Sequence, residues 1–133
     1  MSQENVEAIR RAYEAYNRGD LESMVVDIAP EFEYETTGAV PGTRAVYRGP
    51  EGWREFAGWM REEFYDARIE IHELTEAEDQ VLAEVTLQGR GKQSGVETRW
   101  DLWHLWTVQD GKVVRGQALT RRQEALEAAG LKE

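Results

Sequence analysis

Cysteine is absent from the 133 residues, and histidine occurs only at positions 72 and 104. The first absence excludes disulfides, thiolate nucleophiles and cysteine-based metal sites, so the fold rests on packing. The second leaves any metal dependent on carboxylates, and no HExxH-type spacing occurs; neither a metal nor a cofactor is expected. Serine appears only as Ser2, Ser23 and Ser94, at helix starts or in loops, which removes a Ser-His-Asp arrangement. Positive charge is also scarce. With 16 basic against 26 acidic side chains the net charge is −10, which repels a phosphate backbone, and the arginines are scattered, so no nucleic-acid partner is expected. No stretch approaches the about 18 apolar residues of a membrane span, and "MSQENVEAIRR" has no apolar run of signal-peptide length. The reading is a cytoplasmic protein without a membrane partner. "GRGKQSG" (89–95) lacks the first glycine of a phosphate loop, since Thr86 stands there, and a strand follows it, so it reads as a hairpin loop.

What is present suits one globular domain over residues 1–133, with 41% hydrophobic and 32% charged residues. Val6, Ile9, Tyr13 and Tyr16, joined by Ala8 and Ala12, recur at helical spacing between a capping Ser2 and a terminating Gly19. Asp20 caps a second helix whose face is Leu21, Met24, Val25 and Ile28, stopped by Pro30. "EFEYETT" (31–37) alternates as a first strand. A long loop from Gly38 to Gly49, with a short strand around Val46, leads to a helix opened by Pro50 and striped by Trp53, Phe56, Ala57, Met60 and Phe64. Arg44 and Arg48 in that loop could guard a pocket mouth, or be ordinary solvated charges. Four strands then follow, around 69–71, 81–87, 96–108 and 112–119, with His72 on a polar parity and an Asp110-Gly111 hairpin. Thr120 and Gln123 have capping-box spacing before a last helix ended by Gly130. The fold class is α+β: a curved antiparallel sheet wrapped against helices.

The segment "RWDLWHLW" (99–106) places tryptophan on both faces of one strand. Side chains alternate, so Trp100, Leu102, His104 and Trp106 share one side and Arg99, Asp101, Trp103 and Leu105 the other. Burying a tryptophan removes on the order of 200 Å² from water, a gross gain of roughly 5 kcal/mol, so both faces need a cover.

"AYNRGDLESMVVDIAPEFEYE", "YRGPEGWREF", "HLWTVQDGKVVR" and "RRQEALEAAGL", in that order and spacing, resemble the SnoaL-like (polyketide-cyclase-like, ketosteroid-isomerase-like) branch of the nuclear transport factor two-like superfamily. The resemblance implies a cone, a cystatin-like barrel, whose sheet and helices enclose an apolar pocket. It also implies a homodimer through the sheet face bearing Trp103 and Leu105. His104 then falls where ketosteroid isomerases place a protonated carboxylic acid that donates to a developing oxyanion. A neutral imidazole can donate or take a proton there, and His104 is the catalytic candidate; the bland alternative is a buried histidine tied to a tyrosine or a carbonyl. The isomerase base corresponds to Thr36 and its first-helix tyrosine to Ala12, while the inward parity of the last strand, Val114, Gly116, Ala118 and Thr120, lacks the acidic residue of SnoaL-type cyclases. Neither mechanism carries over residue by residue.

Tyr13, Tyr16, Tyr34 and Trp53 point inward in this reading. Tyr16, Tyr34, Thr36, Trp53, Trp100 and Trp106 are the expected ligand contacts, although aromatic stripes at helical spacing also make plain core. Two functions fit: a protein that binds a small apolar or aromatic molecule, with acid/base isomerase or cyclase chemistry assisted by His104, or a non-catalytic dimeric binding or accessory domain filled by its own tryptophans.

Overall fold

The computed structural model describes residues 2–36 and 38–132, Ser2 by its backbone only. Helix α1 (Ser2–Arg18) ends at Gly19, whose φ of 78° is the left-handed turn that stops it; the capping role expected of the Ser2 side chain lies outside the described residues. Asp20 caps α2 (Leu21–Met24), accepting the Ser23 N–H at 3.1 Å on one oxygen and the Ser23 hydroxyl at 2.7 Å on the other. This helix is shorter than the apolar pattern suggests. Ile28 opens strand β1 (Ile28–Glu35) instead of closing the helix, and Pro30 lies within the strand. The reason is tertiary: the Val113 N–H donates to the Asp27 carbonyl at 2.7 Å and Ile28 pairs with Val113, so the β-branched segment finds a ladder.

Strand β2 (Val46–Arg48) follows the loop, and α3 (Gly49–Glu63) buries Gly52, Trp53, Phe56, Ala57 and Met60. Phe64 caps that helix and begins β3 (Phe64–Ala77), which pairs with β4 (Gln80–Gly91), then β5 (Glu97–Gln109) and β6 (Lys112–Leu119) in succession. Asp110 and Gly111, both at positive φ (52° and 77°), make the expected tight hairpin. The six strands form one curved, unclosed sheet in the order β2-β1-β6-β5-β4-β3. It is antiparallel except for β1 and β6, which run parallel, a correction to the all-antiparallel expectation. Helix α4 (Arg122–Ala129) closes the series, ended by Gly130 in the left-handed region. Its N-terminus is not the expected box: Arg121 is the cap residue and no side chain caps it.

The main core lies on the concave side, between the sheet and α1, α2 and α3. It holds Tyr13, Tyr16, Phe32, Tyr34, Trp53, Phe56, Leu102 and Trp106 among others. A second cluster lies on the convex side, where Ala125 and Ala129 of α4 cover Ala77, Leu82 and Leu105, with Trp103 packed against them. Leu105 is thus covered by the chain's own last helix. On β6 a bulge shifts the parity: Thr107 pairs with Arg115 and Val108 with Val113, so Val114 is the extra residue and Val113 faces inward where Val114 was expected. Among the described residues no helix is long and apolar enough to cross a membrane.

Candidate functional site

His104 is fully buried on the concave face, with Ala83 of β4 and Ala118 of β6 as its cross-strand neighbours. Those alanines leave room for an imidazole and for rings from the helices. Tyr13 of α1 comes to 2.7 Å from Nδ1, and Tyr34 of β1 to 2.9 Å from Nε2. The Trp106 indole donates to the Tyr13 hydroxyl at 2.7 Å. Trp53 stands edge-on to Tyr34 and Trp106, at centroid distances of 4.9 and 5.4 Å. Gly116, opposite Trp106 on β6, is required: a Cβ there would collide with the indole ring.

Burial governs the electrostatics. It pushes His104 down from 6.5 to about 3 and raises the Tyr13, Tyr16 and Tyr34 phenols, partly offset at Tyr16 by Arg61. The imidazole is therefore neutral near pH 7 and the phenols keep their protons. Four hydrogens belong to this chain of groups: one each on the indole, the two phenols and the neutral imidazole. They share three contacts. If Tyr13 donates to Nδ1, then Nε2–H donates to Tyr34 and the Tyr34 hydrogen is left over; if Nδ1–H donates to Tyr13, Tyr34 donates to Nε2 and the Tyr13 hydrogen is left over. Either way the three contacts engage three of the four hydrogens, and the fourth, on a phenol, points away from the other members of the chain. Nearby, the Tyr16 hydroxyl is buried without a partner. Such an interior offers donors to an acceptor oxygen, and among the described residues no buried carboxylate accompanies them.

The expected site residues divide into two groups. Tyr34, Trp53, His104 and Trp106 come together, and Tyr13 joins them as the pivot between His104 and Trp106. The sequence reading set Tyr13 inward but did not place it among the ligand contacts; a phenol on the same helical face as Tyr16 was the available signal. Trp100 shares the parity but stands six residues from Trp106, about 20 Å along the strand, where it meets Phe64 edge-on at 5.5 Å. Tyr16 lies under Arg61, whose guanidinium is 5.4 Å from the ring centroid. Thr36 is buried, and its hydroxyl donates to the Arg44 carbonyl at 2.6 Å, holding the loop. Arg44 pairs with Glu55 at 2.9 Å and Arg48 with Glu33, both exposed. His72 is exposed, as its parity suggests, with Nε2 2.7 Å from the Thr86 hydroxyl.

Little space is left beside Trp106 on the concave side. A void of about 10 Å³ lies among Ile9, Ala12, Tyr13, Ile28, Trp53, Trp106 and Val113. Outside it, a groove of about 370 Å³ runs between α1 and the segment 23–28, and shares Ala12, Ile28 and Val113 as walls.

Comparison with known proteins agrees with this architecture. The family model of the SnoaL-like domain matches residues 9–116. Over 118 residues the chain is 33% identical to the aklanonic acid methyl ester cyclase AcmA of Streptomyces galilaeus, covering 83% of this chain and 79% of that protein. Among solved structures, TerC co-crystallised with polyporic acid matches with a TM-score of 0.76 at 23% identity, over 96% of this chain and 98% of that one. A protein of ketosteroid isomerase-like fold from Catenulispora acidiphila DSM 44928, in complex with trimethylamine, gives a TM-score of 0.75 at 15% identity, over 95% and 94%. Identities this low speak for the shared fold alone, whereas the family match spans most of the chain. The protein belongs to the SnoaL-like domain family and has the nuclear transport factor two-like fold.

Proposed function

We propose that the chain, as one SnoaL-like domain over residues 1–133, binds a small apolar or aromatic molecule bearing a carbonyl or enol oxygen, against Tyr13, Tyr34, Trp53, His104 and Trp106. The observation that carries this reading is the buried hydrogen-bond chain Trp106–Tyr13–His104–Tyr34, whose three contacts use three of its four hydrogens. A polar chain inside an apolar core is costly to bury, and one with a phenol hydrogen to spare gains by donating it to a ligand oxygen. The chemistry open to it is polarisation of that oxygen, the step that isomerisation and cyclisation of carbonyl compounds share, with His104 relaying hydrogen-bond donation through the phenols. Polyporic acid, bound by TerC, and aklanonic acid methyl ester, the namesake substrate of the cyclase relative, are suitable probes. Tyr16, Thr36 and Trp100 stand outside this cluster and serve as second-rank ligand contacts that need a larger molecule. The protein acts in the cytoplasm in this reading.

A second reading is favoured by one observation, the void of only about 10 Å³: a binding or accessory domain without catalysis, its interior filled by its own aromatics. Native mass spectrometry of freshly purified protein, followed by calorimetry with polyporic acid, separates the two. The ligand reading expects added mass or measurable binding, about tenfold weaker in Tyr34→Phe, which removes one donor without changing shape. It also expects His104→Ala to abolish turnover of aklanonic acid methyl ester while the circular dichroism spectrum stays native. A bare mass, no binding and no turnover leave the accessory domain.

The same proposal includes a homodimer through the outer sheet face. Leu105 is already under α4, so the contact falls on Trp103 and the open hollow of about 420 Å³ beside it, which His72, Glu84, Arg99 and Asp101 help to line. Register supports a second copy as the partner. Glu73 pairs with Glu84 and Glu70 with Thr86, itself opposite Asp101; one row further on, Arg68 pairs with Gln88, opposite Arg99. The face grades from acidic to basic, and a two-fold axis through its centre sets each row on its opposite.

A further inference from the structure

The shared walls of the void and the flank groove suggest where a molecule reaches Trp106. At the Trp100 end of β5 the interior is stoppered by aromatic edges: Phe64 meets Trp100 at 5.5 Å and Trp59 at 6.2 Å. At the Trp106 end the partition is thin. On the α1 side it consists of Ala12, a half-buried residue with no side chain beyond Cβ. On the sheet side it consists of Ile28 and Val113, and here the ladder is interrupted. Ile28 pairs with Val113, but the next registered pair is Glu33 with Arg115, so residues 29–32 of β1 stand against Val114 alone. Pro30, within that stretch, has no N–H to give a ladder. Segments with few backbone hydrogen bonds open at lower free energy than the core they border. The segment is anchored at its ends, by the Val113 N–H bond to the Asp27 carbonyl at 2.7 Å and by the buried Phe32 ring, while the outer contacts of residues 26–27 are light: Arg11 of α1 reaches Asp27 at 3.5 Å, both partly exposed, and Lys112 donates to the Val26 carbonyl at 3.2 Å. Val26 is 63% exposed at the groove.

We infer that small apolar molecules enter the interior sideways, through the flank groove between α1 and the start of β1, and that Ala12 is the residue whose size decides what passes. The proposed binding function bears on this only for the identity of the natural molecule. The groove itself offers Arg11, Glu14, Arg18, Ser23 and Asp27, so it suits the polar, oxygen-bearing end of an elongated molecule whose apolar end lies under Trp53 and Trp106.

Benzene is the probe, because it needs no hydrogen bond and is larger than the void, so its uptake reports yielding of the 29–32 segment. The measurement is its titration followed by the NMR signals of the Trp106 indole N–H and the Tyr13 ring. The wild type is expected to show saturable shifts there. Ala12→Leu and Ile28→Phe, plugs from opposite walls, should weaken or slow uptake at least tenfold, and the size-matched Ala12→Ser should behave as wild type; native dispersion of the other signals checks folding. The inference is overturned if benzene leaves the wild-type Trp106 signal unmoved, or moves it equally in both plugged variants. Calorimetry with polyporic acid distinguishes the failure of the binding function: uptake of benzene at Trp106 without any binding of polyporic acid or turnover keeps the route and removes the ligand class assigned above.

Discussion

His104 ties stability to pH in a definite direction. Its folded-state pKa, pushed down by burial from 6.5 to about 3, means that the unfolded chain takes up a proton that the folded chain refuses. The contribution of the neutral imidazole is complete above about pH 6.5 and is lost as pH falls through the window toward 3, on the order of 1 kcal/mol per pH unit. Urea unfolding at pH 7, 5.5 and 4.5 should show a steeper loss for the wild type than for His104→Gln, which does not titrate. Parallel slopes would mean that the imidazole is not held neutral in the folded protein. At neutral pH, His104→Ala removes the shared partner of two buried phenols and leaves a cavity, so a loss of about 2–5 kcal/mol is expected from thermal or urea midpoints. The buried histidine itself was legible from the alternation in "RWDLWHLW". Its two phenolic partners were not, because Tyr13 and Tyr34 lie 91 and 70 residues away and no local pattern joins them.

At the level of elements, segments differ in how far local signals decide the structure. Gly19, Asp20, the Asp110-Gly111 hairpin and Gly130 act through backbone φ or a cap within a few residues, and each acts where the sequence places it. Thr120 and Gln123 have the spacing of a cap without its bond, since α4 begins one residue late, at Arg122, with Arg121 as its cap residue. Thr120→Ala is therefore expected to shift stability by less than about 0.5 kcal/mol, and Asp20→Ala to cost about 1 kcal/mol, in the same urea assay. The segment 25–28 shows the opposite case: its helical spacing yields to the ladder offered by Val113, which no window of the sequence contains. Helix α4 is likewise decided by contact, because its small residues Ala125 and Ala129 let it lie close on Leu82 and Leu105. Leu105→Ala should cost about 2–5 kcal/mol by urea unfolding. A loss below about 1 kcal/mol would mean that α4 does not cover this face in solution.

For the whole molecule, the proposed association through the outer sheet face is read by measurements of subunit number. The graded rows of charge predict a dimer in sedimentation equilibrium that weakens with added salt, since exposed pairs are screened within about 10 Å at 0.1 M ionic strength. Arg99→Glu should shift the equilibrium toward monomer at fixed concentration, because in the proposed dimer it sets like charges opposite each other across the two-fold axis. A monomer at every concentration would remove the second copy and leave α4 as the only cover of the Trp103 side.

What the sequence determined by itself is the part that depends on periodicity and local backbone chemistry: the α+β class, the order of helices and strands, the turn glycines Gly19, Gly111 and Gly130, and the inward parity of His104 and Trp106. The absence of cysteine and the shortage of basic residues narrowed the chemistry in the same local way. Tertiary structure alone decided which inward aromatics meet, and so separated Trp100 from Trp106 on one strand face. It also decided that β1 pairs parallel with β6 across an interrupted ladder, and that Leu105 is covered within the chain. Each of these depends on groups far apart in sequence competing for the same space or the same hydrogen bond, and that competition is settled only when the whole curved sheet has packed against its helices.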